Sequence, residues 1–441
     1  MSQSTQNIEP IYDARSLGKS RMVVLGLQHM FAMFGATVLV PAITGLSVSA
    51  TLLFAGIGTL LFHFVTKRQV PAFLGSSFAF LGGYAVVKQM GLDMGMTAST
   101  SLAYACVGVF FAGLLYFVLS ALFSIYGIKK VMRYFPPIVT GPIIIAIGLI
   151  LSGSAVSNCQ ANWLIALLAI LIIVGCNIWG RGMIKIVPIL MGVVGSYVVA
   201  AVCGQVDFSK VGEAAWIGLP FKYEDTVFAI FSNPDWSFLL TSILVILPIA
   251  IATMIEHIGD ICAISSTCNK NYLSEPGLNR TLIGDGLATS IASLFGAPAN
   301  TTYGENTGVL NLTRVYDSRV VRIAAGFAIL FSFSPKFAAL VSSMPTATIG
   351  GVSLVLYGMI SAVGVRNIVE NKVDFTVSRN VIIAALILVL AIGVNYGCQG
   401  GAIEIGVVKL SGLAVAAIVG IVLNIILPGK DYEVGKNFEN K

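Results

Sequence analysis

Apolar residues run along this chain in long blocks, each closed by Gly, Pro, Asn or charged residues rather than broken by a two-residue alternation. Blocks and breakers together predict helical segments over 22–41, 49–66, 71–87, 99–127, 135–153, 163–180, 185–204, 237–264, 280–296, 301–313, 320–343, 345–363, 380–396 and 406–427. Most have the length that crosses a bilayer, about 20 residues. The third and tenth read as incomplete spans.

The tenth is the most polar. Ala297-Pro298-Ala299-Asn300 leads into Thr301 through Arg314, a run with a carboxylate, two amides, several hydroxyls and two glycines. Pro298 lacks an N–H and so cannot sit inside a regular helix. The stretch therefore reads as extended chain that turns into a half-helix near Gly304. Lipid offers such groups no partner, so they face protein, a cavity or a ligand. Broken helices of this kind build binding sites in secondary transporters, because their free N–H groups meet a ligand's oxygens.

Composition fixes the class. Of 441 residues, 56% are hydrophobic and 10% charged, with mean hydropathy +0.90. A soluble domain carries about a quarter charged residues, so this is an all-α polytopic membrane protein. Residues 1–20 are polar and show no secretory-signal pattern. The seven cysteines are scattered without metal-ligand spacing, so they read as apolar filler and no metal site is expected.

Charge changes the picture again. The net charge of +6 would suit a nucleic-acid partner if it were one patch. It is instead sorted by loop. With the N-terminus inside, the inside stretches hold Arg15, Lys19, Arg21, Lys67, Arg68, Lys129, Lys130, Arg133, Arg181, Lys185, Lys270, Arg280, Arg314, Arg319, Arg322, Arg366, Lys372, Arg379, Lys430, Lys436 and Lys441. Lys88, Lys210 and Lys222 fall outside, and Lys336 and Lys409 fall within spans. Cytoplasmic loops concentrate Lys and Arg. The sorting supports 14 transmembrane segments in a cell membrane, with both termini cytoplasmic and no nucleic-acid partner. Loop 205–236 is the one long exterior connection, with a small surface structure expected in it.

The halves echo each other. Gln28-His29 matches Glu256-His257, Pro71 through Phe78 matches Pro298 through Tyr303, and Pro136 to Gly141 matches Pro345 to Gly350. Seven is odd, so two seven-helix repeats run inverted, with short extended segments in helices 3 and 10. This arrangement places the site near the midplane between the halves.

Four acidic residues sit inside predicted spans: Glu256, Asp260, Asp285 and Glu305. Each would cost about 2.5–3.5 kcal/mol at a bilayer centre if left without a partner. Glu256 and Asp260 are four apart, hence on one helix face. The plainer reading is that such acids bond hydroxyls and amides between helices. His29 and His257 either relay protons or tie helices together as neutral imidazoles. His63, beside Lys67 and Arg68, reads as interfacial. Phe78 and Tyr303 suit stacking on a flat ligand from two sides, although aromatics also pack. Gly75, Gly304 and Gly308 permit close backbone approach or end helices. No nucleotide-binding, zinc-protease or nucleophile-elbow pattern is present, so the chain does not read as an enzyme, and its driving energy is expected from an ion gradient.

Glu305-Asn306-Thr307-Gly308-Val309-Leu310-Asn311-Leu312-Thr313-Arg314 resembles the signature of the nucleobase–ascorbate transporters, also called nucleobase:cation symporter family 2. Gln28-His29, Gly75-Ser76-Ser77-Phe78 and Glu256-His257 match it as well, and the similarity runs from about Leu25 to Leu427. Asn300 through Asn306 looks like the uracil-permease branch; xanthine and urate carriers typically have Gln where Glu305 stands. The resemblance implies a core of helices 1–4 and 8–11 (residues 21–133 and 237–343) and a gate of helices 5–7 and 12–14 (134–204 and 344–428). Tails at 1–20 and 429–441 flank them, and a homodimer through the gate is implied. Substrate would bind Glu256, Glu305, Phe78, Tyr303, Gly304 and Ser77. The proton would be carried by Asp260, Glu256 or Glu305, with Gln28, His29, His257, Asp285 and Asn306 in support. Some uracil permeases have His where this chain has Asp260, which leaves the coupling group open.

Uracil is flat, neutral and rich in adjacent N–H and C=O groups, so carboxylates and half-helix N–H groups complement it. Neighbouring carboxylates resist joint ionisation, which favours loading a proton with the substrate. The expectation is proton-coupled uracil import by alternating access, with the proton as coupling ion and no cofactor. The alternatives are a xanthine or urate carrier, a Na-coupled symporter and an anion exchanger of the same architecture.

Overall fold

The computed structural model describes residues 9–127, 130–131, 133–398, 401–405 and 408–429; for residues 183, 186, 305, 405, 408 and 409 it describes the backbone alone. The expected tail 429–441 lies beyond Gly429 outside the described residues. So do Lys129 of the basic inventory and the side chain of Glu305.

Helices occupy every predicted segment. In order they are α1 (Lys19–Thr44), α2 (Val48–Val65), α3 (Leu81–Asp93), α4 (Ala98–Tyr126), α5 (Pro137–Cys159), α6 (Trp163–Trp179), α7 (Pro188–Val202), α8 (Trp236–Ile246), α9 (Ile249–Cys268), α10 (Leu278–Leu294), α11 (Gly304–Thr313), α12 (Ser318–Ser332), α13 (Pro335–Ser342), α14 (Thr346–Glu370), α15 (Ser378–Gly397) and α16 (Gly412–Ile426). Strands β1 (Leu74–Ser76) and β2 (Asn300–Thr302) precede α3 and α11, and β3 (Ala402–Ile405) and β4 (Val408–Ser411) precede α16. Among the described residues seven helices are long and apolar enough to cross a membrane, eight if one bent pair counts as a span. α6, α7 and α16 are shorter apolar helices.

Local chemistry sets the boundaries. Ser47, Thr97 and Asn162 accept from backbone N–H groups in the first turns of α2, α4 and α6. Gly45 ends α1 in the left-handed region, at φ 90°. Helices pack in two groups. In one, α4 lies on α10, and α2 on α10 and α12; in the other, α5 lies on α14 and α15, and α6 on α7 and α14. Glycines let the backbones close up: a Cβ on Gly113 would sit 2.6 Å from the Gly286 carbonyl oxygen, and one on Gly148 2.2 Å from that of Tyr357. α1 and α9 also touch the second group, through α7 and α14 and through α5 and α16.

Several expectations need correction. The helix predicted over 320–343 is two, α12 and α13, bent by 89°. Pro335 supplies no N–H, and Ser334 caps the new start by accepting from Phe337 N. The third segment's helix runs to Asp93, so Lys88 is helical rather than in a loop. Its ammonium donates to the Thr44 carbonyl at 2.9 Å, where the C-terminus of α1 attracts a cation. Lys409 is not in a span but in the β3–β4 hairpin, opposite Glu404. His63, in the last turn of α2, is fully buried in protein, with Nε2 2.9 Å from the Ala72 carbonyl. The polar tail 1–20 is docked from Ile11 onward. The long loop carries short helical turns at Ser209–Glu213, Tyr223–Asp225 and Val227–Ile230.

Candidate functional site

Two unwound segments meet inside the first helix group. β1 and β2 pair antiparallel with Leu74 opposite Thr302, Gly75 opposite Thr301 and Ser76 opposite Asn300. Ser77 N–H donating to Ala299 O (2.8 Å) and Tyr303 N–H to Phe73 O (3.0 Å) extend the ladder. Backbone that leaves a helix must find partners elsewhere. The side chains around this pair supply them. Leu74 N–H donates to Thr59 Oγ1 at 2.9 Å, Tyr84 hydroxyl accepts from Ala299 N–H at 3.0 Å, and Thr289 donates to Asn300 O at 2.7 Å. Asn300 in turn donates to the Phe54 carbonyl at 2.9 Å.

Gly75 is required here. A Cβ would lie 2.5 Å from the Tyr303 ring. That ring crosses the strand pair so that its hydroxyl donates to Ser76 O at 2.8 Å, while Ser76 Oγ donates to Thr37 O at 2.8 Å. α3 and α11 then begin at Phe80 and Tyr303 with no side-chain cap. Their first N–H groups lie at the inner ends of two half-helices. Space is open at Gly304 and Gly308, where an added Cβ would meet nothing within 4 Å.

The acids and histidines lie against this pair. Glu256 is half-buried on α9, one turn before the buried Asp260. Thr302 donates to Asp260 Oδ2 at 2.8 Å, so the carboxylate is fixed to β2. His257 Nδ1 stands 3.1 Å from Asp285 Oδ2, with both side chains wholly buried, and ties α9 to α10. Thr302 Oγ1 lies 3.5 Å from the same ring nitrogen, so a line of contacts runs from Asp260 through the Thr302 hydroxyl and the His257 ring to Asp285. Asn306 on α11 donates to His29 O and lies against His29 Nδ1, each at 3.1 Å, joining α1 to α11. Glu305 belongs to the first turn of α11 by its backbone. Ser77 Oγ and Gln28 Oε1 are buried without a partner among the described residues.

The sequence reading set Phe78 and Tyr303 as two faces of a sandwich. Phe78 packs edge-on against Tyr357 of α14, with centroids 5.8 Å apart, and Tyr303 is held to Ser76. Tyr357 had no local signal, because its role comes from a contact across the two helix groups. Thr302 and Ser76 lay inside the stretches singled out, but nothing in their spacing announced their partners. Cavities of 590 Å³ beside Lys130 and 140 Å³ beside Arg133 and Arg379 open away from this site.

Comparison with known proteins gives the family. A model described as a permease family matches residues 20–400. The chain belongs to that family, the nucleobase:cation symporters 2. The permease is 40% identical to the uracil permease of Bacillus caldolyticus, over 97% of this chain and 96% of that one. It is 39% identical to the probable uracil permease of Haemophilus influenzae (96% and 98%) and 37% to the uracil permease of Escherichia coli K12 (92% and 90%). These relatives are permeases, so the chain is a multi-pass transporter and not an enzyme. Among solved structures it resembles the transmembrane domain of the cyanobacterial bicarbonate transporter BicA, with TM-score 0.63 and 15% identity over 94% of this chain and 99% of that one. It also resembles the murine anion transporter Slc26a9, with TM-score 0.65 and 11% identity over 92% and 67%. At those identities the likeness is one of fold.

Proposed function

We propose that this permease imports uracil with a proton across a bacterial inner membrane by alternating access. The observation that carries the reading is identity near 40% to uracil permeases along almost the whole chain, with Glu and not Gln at position 305. In this reading Glu256 and Glu305 accept from the ring N–H groups, and the free N–H groups at Gly304 donate to a ring carbonyl. Phe78, Tyr303 and Ser77 surround the ring. Asp260, Glu256 or Glu305 holds the coupling proton, and the Thr302 hydroxyl between Asp260 and His257 offers a path to Asp285.

The helix group with α4 and α10 acts as the core, and the group with α5 and α14 as the gate. Fourteen crossings in two inverted repeats fit the antiparallel β1–β2 pair, since spans entering from opposite leaflets meet that way. Both termini then lie in the cytoplasm, and a homodimer would form through the gate. Competition against labelled uracil uptake in vesicles tests the substrate: excess uracil should abolish the signal and xanthine leave it, and inhibition by xanthine alone would favour the purine reading.

A further inference from the structure

The residues before α1 grip the ends of both site helices. Ile11 runs parallel to Val315: its N–H donates to Arg314 O, and Tyr316 N–H donates to Ile11 O, each at 2.8 Å. Tyr12 donates its hydroxyl to the carbonyl of Cys268, the last residue of α9, at 2.9 Å. Its ring lies against Tyr316, with centroids 5.6 Å apart, under the Lys270 ammonium at 4.5 Å. Ala14 N–H donates to Asp317 Oδ2 at 2.8 Å, and Ala14 is fully buried with Val315 and Val320. Asp13 adds an ion pair to Arg319 at 2.8 Å.

The two gripped points are equivalent. Cys268 lies eight residues beyond Asp260 on α9, and Arg314 eight beyond Asn306 on α11. At 1.5 Å per residue each is about 12 Å from its site residue. α11 has only ten residues, too few to hold a fixed pose alone. Its start is fixed by the β1–β2 pair and its end by the left-handed Arg314 and the bridge of Val315 with Ile11.

We propose that Ile11, Tyr12 and Ala14 form a positioning clip that sets the spacing of α9 and α11 and thereby the affinity of the site between them. The affinity part rests on the uracil reading above; the spacing part does not. Ile11→Pro removes the N–H that pairs with Arg314 O, and Tyr12→Ala removes the link to Cys268. Each should weaken equilibrium uracil binding by the purified protein about tenfold, as loss of one or two hydrogen bonds implies. Tyr12→Phe, which keeps the ring, should fall between them and wild type. Arg15→Ala, on an exposed side chain that pairs with the exposed Asp13, should stay within about twofold.

Hydrogen exchange across Leu310–Arg314 gives a readout that needs no substrate: both clip variants should exchange faster there and at the end of α9, with α5 and α14 unchanged. Binding and exchange both at wild-type level in Ile11→Pro and Tyr12→Ala would overturn the proposal. So would a melting temperature lowered without either local effect, which would mark the segment as general stabilisation only. Wild-type protein that ignores uracil would sink the substrate reading, and the exchange result would still decide the clip.

Discussion

Asn306 shows what a single side chain does at this site. Its amide donates to both the carbonyl and the ring of His29, so one residue joins α1 to the half-helix α11. Asn306→Ala removes both bonds from α11 to α1, each worth about 0.5–1.5 kcal/mol. Uracil binding measured on the purified variant should weaken at least tenfold, and unchanged affinity would show the bond to be incidental. The sequence made the chemistry of such residues legible: acids, amides and histidines inside apolar runs are conspicuous, and all those singled out lie on the elements around β1 and β2, Glu305 by its backbone. It did not reveal who bonds whom. His257 with Asp285, Thr302 with Asp260 and Phe78 with Tyr357 are contacts between distant segments, and a linear pattern carries no trace of them.

At the scale of elements, the unwound strands were legible because proline and small polar residues interrupt an apolar run on both sides. Pro71 and Pro298 mark them, and the strands form three and two residues further on. The break between α12 and α13 was missed although Pro335 lies in plain view, since hydropathy stays high across the bend. Strand β4 was absorbed into the span predicted over 406–427 for the same reason, and β3, with its alternation Ile403-Glu404-Ile405, fell in the connection before it. The strand pair itself makes a sharp prediction. Gly75→Ala would put a Cβ 2.5 Å from the Tyr303 ring, in a packed interior where neither backbone can yield cheaply. Uptake should fall more than tenfold with the protein still in the membrane, and a Gly75→Ala carrier working at wild-type rate would show that Tyr303 does not need its pose.

For the whole molecule, two helix groups pressed together along α1 and α9 provide the surfaces that a carrier must move past each other. The loop charges predict how they are oriented. Basic residues gather at the connections assigned to the inside, and Asn371 and Ser209 stand at opposite ends of that assignment. Single cysteines placed there, on a background lacking the native thiols, should react from the inside and the outside respectively with a membrane-impermeant reagent. Reaction of both from one side would undo the topology.

The central claim is that a proton gradient drives uracil past the acids of α9 that lie against β1 and β2. The direct measurement is labelled-uracil accumulation in vesicles of purified protein, Na-free, with an inward proton gradient imposed and then collapsed. The account predicts accumulation above the external level that vanishes with the gradient and is absent in Glu256→Ala. Uptake indifferent to the gradient, or persisting near wild-type rate in Glu256→Ala, would contradict it.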